Sequence, residues 1–108
     1  MEIHKILSQE KIIIKVDSCL EDLIPEYLSN RQKDIKNLLE ALEQVDYDSI
    51  IFIGHNMKGS GGAYGFDYIT EIGCCLEVAA KERNCELIDK KVQELTNYLE
   101  RIQIDFVL

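Results

Sequence analysis

Residues 54–65 read Gly54-His55-Asn56-Met57-Lys58-Gly59-Ser60-Gly61-Gly62-Ala63-Tyr64-Gly65, and the fold turns on whether they are helix or loop. All six glycines of the chain lie between positions 54 and 73. A glycine inside a helix costs about 0.8–1 kcal/mol relative to alanine, so Gly54, Gly59, Gly61 and Gly62 together would cost roughly 3–4 kcal/mol. A whole domain is stable by only about 5–15 kcal/mol. Either the stretch is a loop, or packing or function offsets the cost. A helical projection at ~100° per residue separates the two. With His55 at zero, Ile50, Ile53, Met57 and Tyr64 fall within ~40° of the opposite pole and make a coherent core stripe, flanked by small Ser60 and Gly61. Ile51, Phe52, Lys58, Gly59 and Gly62 fall on the His55 side. The stretch therefore reads as a helix that buries one face and points His55 away from the core.

The same periodicity extends in both directions. From Cys19 to Val45, Leu20, Leu23, Ile24, Tyr27, Leu28, Ile35, Leu38, Leu39 and Leu42 recur in steps of three and four, one helix face. Asp17 or Ser18 is placed to cap it, and Pro25 should kink this helix or start a new one. The polar run 30–34 reads as a solvated helix face. The helix of His55 should begin after Asp46, run through Tyr64 and close on Gly65 in a left-handed cap. Asp67 is expected to cap a third helix with Ile69, Ile72, Leu76 and Ala80 inward. Asn84 is expected to cap a fourth, with Ile88, Val92, Leu95, Leu99, Ile102 and Phe106 as its seam. Residues 11–16, Lys-Ile-Ile-Ile-Lys-Val, suit a short strand, an extended arm or helix. A lone strand would have nothing to pair with, so this segment is expected to lie against the bundle. The expectation is one all-α domain over 1–108: an antiparallel up-down four-helix bundle over 17–107, with an N-terminal arm or short helix over 1–16.

Composition narrows the function. Hydrophobic residues are 46% and charged residues 30%, which argues against disorder. A net charge of −8 argues against nucleic acid or an anionic membrane as partner. No stretch approaches the ~20 apolar residues of a membrane span, and the N-terminus lacks a signal-peptide pattern, so a cytoplasmic location is expected. Cys19, Cys74, Cys75 and Cys85 lack the spaced pairs of a zinc site and read as buried or half-buried thiols in a reducing compartment. Each helix carries one apolar stripe, so four helices satisfy one another and a monomer is expected.

His55 is the candidate for chemistry. Gly59 and Gly62 leave the helix surface bare beside it, and Lys58 sets an ammonium one turn away. An exposed imidazole with a cation beside it, and no side chains blocking a large partner, suits phosphoryl transfer. Ile51 and Phe52 on the same face suit a docking surface. A phosphate-binding P-loop would need Lys after the glycine run, but Lys58 precedes Gly59-Ser60. A metal held by His55 would want a ligand at i+3 or i+4, where Lys58 and Gly59 stand.

At these residues the sequence resembles the histidine-containing phosphotransfer (HPt) domain family of two-component phosphorelays. The family pattern is His, any two residues, Lys-Gly, two small residues, any two residues, then a large apolar residue and Gly. His55, Lys58, Gly59, Ser60, Gly61, Tyr64 and Gly65 match it, and the likeness runs on through Leu76–Lys81 into the last helix. The resemblance implies His55 as phosphoacceptor, Lys58 steadying the phosphoryl group, Gly59 and Gly62 giving a receiver domain clearance, and Gly65 closing the helix. It implies response-regulator receiver domains and a sensor or hybrid histidine kinase as partners. The chain would need no cofactor or metal of its own, because the receiver brings Mg²⁺. Ile51 and Phe52 are more apolar than in many relatives, which bears on which partner docks. No nucleotide-binding motif of a kinase is present, so a phosphocarrier is expected rather than an autokinase. From the initiating Met1 and the compact size, a free-standing protein is the expectation, with a domain cut from a hybrid kinase as the alternative. Two alternatives are a docking or inhibitory module that is never phosphorylated, and a metal or redox module built on Cys74, Cys75, Cys85 and a histidine.

Overall fold

The computed structural model describes residues 10–108; His4 and the rest of residues 1–9 lie outside them. Strand β1 (Ile12–Asp17) leads through a 3-10 turn (Ser18–Leu23) into α1 (Ile24–Glu43). Then follow α2 (Tyr47–Ser60), a short 3-10 turn (Gly62–Tyr64), α3 (Asp67–Lys81), α4 (Cys85–Arg101) and β2 (Ile102–Val107). Each helix packs on the next and α1 closes on α4, giving the antiparallel four-helix bundle that the periodicity requires. Leu38, Ile50, Met57, Phe66, Ile69, Leu76, Ile88 and Leu95 are sealed within it.

Several boundaries differ from expectation, each for a local reason. The expected helix from Cys19 starts at Ile24, with Pro25 in its first turn, where the missing N–H costs nothing. Asp17 caps the preceding 3-10 turn by accepting from the Cys19 N–H at 2.9 Å. The helix of His55 stops at Ser60 rather than Tyr64. Gly61 lies against the next helix so closely that a Cβ there would sit 2.6 Å from the Thr70 nitrogen. Gly65 does close the segment in the left-handed region, at φ 93°. Asp67 stands in the first turn of α3 without capping it; Phe66 holds the cap position and is buried. Asp46 and Asn84 cap as expected, accepting from the Ser49 and Leu87 N–H groups.

The largest correction concerns the chain ends. β1 has a partner: it runs parallel to β2, from Ile12 opposite Ile102 to Asp17 opposite Val107. A parallel pair needs a long crossover, and here the whole bundle is the crossover. Ile102 and Phe106 therefore belong to a strand and not to the seam of α4. Ile102, Ile104 and Phe106 lie on one face with Ile12, Ile14 and Val16, while Gln103, Asp105 and Val107 are exposed.

Three of the cysteines, Cys19, Cys74 and Cys85, are exposed and Cys75 is half-buried; all are free thiols. The polar run in α1 is not simply solvated. Arg31 and Asp34 form a half-buried ion pair at 2.7 Å, and the guanidinium lies over the Tyr27 ring. Burial pushes the Asp34 carboxyl up despite Arg31.

Candidate functional site

Helix α2 begins on the Asp46 cap and buries Ile50, Gly54 and Met57. One residue past Gly54, and so turned outward, His55 leaves 65% of its side chain in solvent. Lys58 is one turn further on the same face and half exposed. Gly59 follows, and a Cβ there would meet nothing within 4 Å. These three residues form one open surface, as the projection required. Gly62 is also exposed, but it belongs to the 3-10 turn; its N–H donates to Thr70 Oγ1 at 2.8 Å. Thr70 in turn donates to the Lys58 carbonyl at 3.2 Å, so one hydroxyl ties the end of α2 to α3.

The remaining residues of interest divide. Ile51 packs half-buried against the core, whereas Phe52 is 67% exposed. Phe52 and Asn56 edge a groove of about 660 Å³ between α1 and α2, which Arg31, Asp34 and Asp48 also line. A second cleft of the same volume, beside β1 and α4, is lined by Ile12, Gly65, Tyr68 and Tyr98 among others and includes none of His55, Lys58, Gly59 and Gly62.

The structure adds a residue that the motif did not include. Glu77 of α3 is 9% exposed and sits beneath the His55 face. One carboxylate oxygen, Oε2, lies 3.5 Å from His55 Nδ1 and accepts from Lys81 Nζ at 3.2 Å; the other, Oε1, accepts from Lys58 Nζ at 3.4 Å. The Lys81 hydrogen bond, helped by that of Lys58 and by both charges, holds the carboxyl below its usual range against the opposing effect of burial. Glu77 is thus an anion facing Nδ1, an arrangement that favours the proton on Nδ1 and leaves Nε2 outward with its lone pair.

Glycine contacts place this carboxylate. A Cβ on Gly54 would lie 2.8 Å from the Gly73 carbonyl oxygen and 2.9 Å from the Glu77 nitrogen. A Cβ on Gly73 would lie 2.5 Å from the Lys58 nitrogen. Helices α2 and α3 therefore meet backbone to backbone beside His55. The glycine cost has two separate answers: Gly54, Gly61 and Gly73 permit close packing, and Gly59 faces open space, whereas a Cβ on Gly62 would lie 3.4 Å from Asp67 Oδ1, so the clearance expected of Gly62 beside His55 is not what the 3-10 turn provides. A signal for Glu77 was present in the sequence, a carboxylate one turn after Gly73 on the flank of an apolar stripe.

The fold is thus a four-helix bundle with a solvent-facing histidine in the middle of one helix and a lysine and a bare glycine on the same face. The family model of the Hpt domain matches residues 22–105. The chain belongs to the Hpt domain family, the histidine phosphotransfer modules of two-component signalling, which interact with receiver domains and histidine kinases. No curated protein and no solved structure shows a significant match to it. No helix among the described residues is long and apolar enough to cross a membrane. Nor do any three His, Cys, Asp or Glu side chains among them come together as a metal-binding group.

Proposed function

We propose that this chain is a phosphocarrier that accepts a phosphoryl group on His55 from a receiver-domain aspartate and passes it to another response regulator. The observation that carries the reading is the exposed His55 with Lys58 and the bare Gly59 on one side and the anionic Glu77 behind it. In the proposed step, Nε2 attacks phosphorus in line. The Nε2–P bond forms as the aspartyl O–P bond breaks, and the electron pair returns to the carboxylate of the receiver. The ring gains positive charge as it bonds, and Glu77, facing Nδ1–H, balances that charge. Lys58 divides its ammonium between Glu77 and the incoming phosphoryl oxygens, where negative charge is spread in the transition state. The Mg²⁺ that such a reaction uses comes with the receiver, as does the aspartyl phosphate. The reverse step returns the phosphoryl group to a second receiver.

The test is His55→Gln. The variant should keep the melting temperature of the bundle, because the side chain is outside the core, and should accept no label from a phosphorylated receiver. Labelling equal to wild type would overturn the assignment.

A further inference from the structure

The terminal sheet has two edges, and they are unlike. Two strands alone are marginal in water, and an open edge is a row of unpaired N–H and C=O groups. The β1 edge carries Lys11 at its entrance and Lys15 within it, charges of the kind that discourage a further strand. The β2 edge carries no lysine and no proline, and among the described residues no strand pairs with it. Its one charge, Asp105, is already opposite Lys15 of β1. The face that β2 shares with β1 is wholly apolar, yet Ile102, Ile104 and Phe106 are only half-buried. That face is larger than the bundle covers.

We propose that the β2 edge pairs antiparallel with β2 of a second copy, giving a four-stranded sheet β1–β2–β2–β1 across a two-fold axis. The sequence of β2 selects the register. Same-face pairing requires a residue, and not a gap, at the axis. An axis at Asp105 would set two carboxylates directly opposite one another. An axis at Gln103 would bring the helix-terminal Arg101 into the ladder. An axis at Ile104 pairs Ile102 with Phe106 of the second copy and Gln103 with Asp105 of the second copy, each pair twice. The first is an aromatic against a β-branched side chain, and in the second an amide donates to a carboxylate, both favourable cross-strand pairs. β2 packs on β1 and the 3-10 turn after it, whereas His55, Lys58 and Glu77 lie on α2 and α3. The expectation of a monomer counted only the four helical stripes and left this sheet out. Five paired residues a side make a small interface, so the association is reversible, with a dissociation constant of roughly 1 µM to 1 mM.

Sedimentation equilibrium of the full 108-residue chain, in reducing agent because its cysteines are free thiols, tests this. Wild type should show a monomer–dimer equilibrium in that range. Gln103→Lys places an ammonium opposite Asp105 of the second copy and should tighten the dimer. Gln103→Glu places a carboxylate there and should weaken it. Each shift should be roughly 2- to 30-fold, from two symmetry-related pairs. Position 103 is exposed and faces uncharged Ile13 on β1, so both variants keep the fold. A wild-type chain that stays monomeric up to ~1 mM overturns the proposal. So does a dimer that is indifferent to both substitutions, or one that both shift in the same direction.

Discussion

At the scale of single residues, Glu77 gives the site a pH dependence with a definite sign. Its carboxyl is held below the ordinary 4.5 in the folded chain. Between that lowered value and 4.5 the unfolded chain binds more protons than the native one, so stability rises with pH there. The contribution is complete above the unfolded value and is lost as pH falls through the folded one. Glu77→Gln should remove it. The stability gap between wild type and variant, measured by urea denaturation across the acid range, should be widest near neutrality and shrink below pH 4.5. The variant also loses the anion behind Nδ1, so labelling of His55 by a phosphorylated receiver should slow roughly tenfold. A gap that does not change with pH would show that Glu77 is held by packing and not by Lys81 and Lys58.

At the scale of elements, the contact between α2 and α3 and the open end of α2 make opposite demands on glycine. Gly54→Ala puts a methyl group into backbone atoms of α3 that cannot turn aside, and should destabilise the bundle by about 1–3 kcal/mol or more. Gly59→Ala meets open space at a helical position and should stabilise it, by up to ~1 kcal/mol. Chemical denaturation of the two variants should move the midpoint in opposite directions. The spacing of glycines in the sequence does not distinguish them, because a glycine needed for close approach and one needed for access cost a helix the same. The helical projection sets Gly54 about 100° round the helix from His55 and says nothing of what lies across from it. What lies across from it comes from residue 73.

At the scale of the whole molecule, the proposed phosphotransfer makes Gly59 a test of docking by a folded partner. A long side chain there would project beside His55 into solvent that a receiver must displace. Gly59→Gln should therefore fold, keep His55 exposed, and lose transfer from a phosphorylated receiver by tenfold or more. The same variant should accept phosphate from acetyl phosphate or phosphoramidate about as fast as wild type, because a small donor needs no such clearance. Undiminished transfer from the receiver would place the docking face elsewhere on the bundle, for instance along the groove edged by Phe52.

The helices and the outward turn of His55 were determined by the sequence itself. Each rests on short-range periodicity and on caps such as Asp46, Asn84 and Gly65, which act within a few residues of where they stand. The strand pair was not legible, because Leu99, Ile102 and Phe106 satisfy a helical spacing while Ile102, Ile104 and Phe106 satisfy a strand's. Only a partner 90 positions away in the chain, Ile12 for Ile102, decides between them. The setting of the histidine was decided the same way. His55 and Lys58 are neighbours on one helix and could be read together. Glu77 reaches them because Gly54 and Gly73 let two backbones touch; the sequence marks Glu77 as a carboxylate one turn after Gly73, but only the contact between these distant segments sets it beside His55.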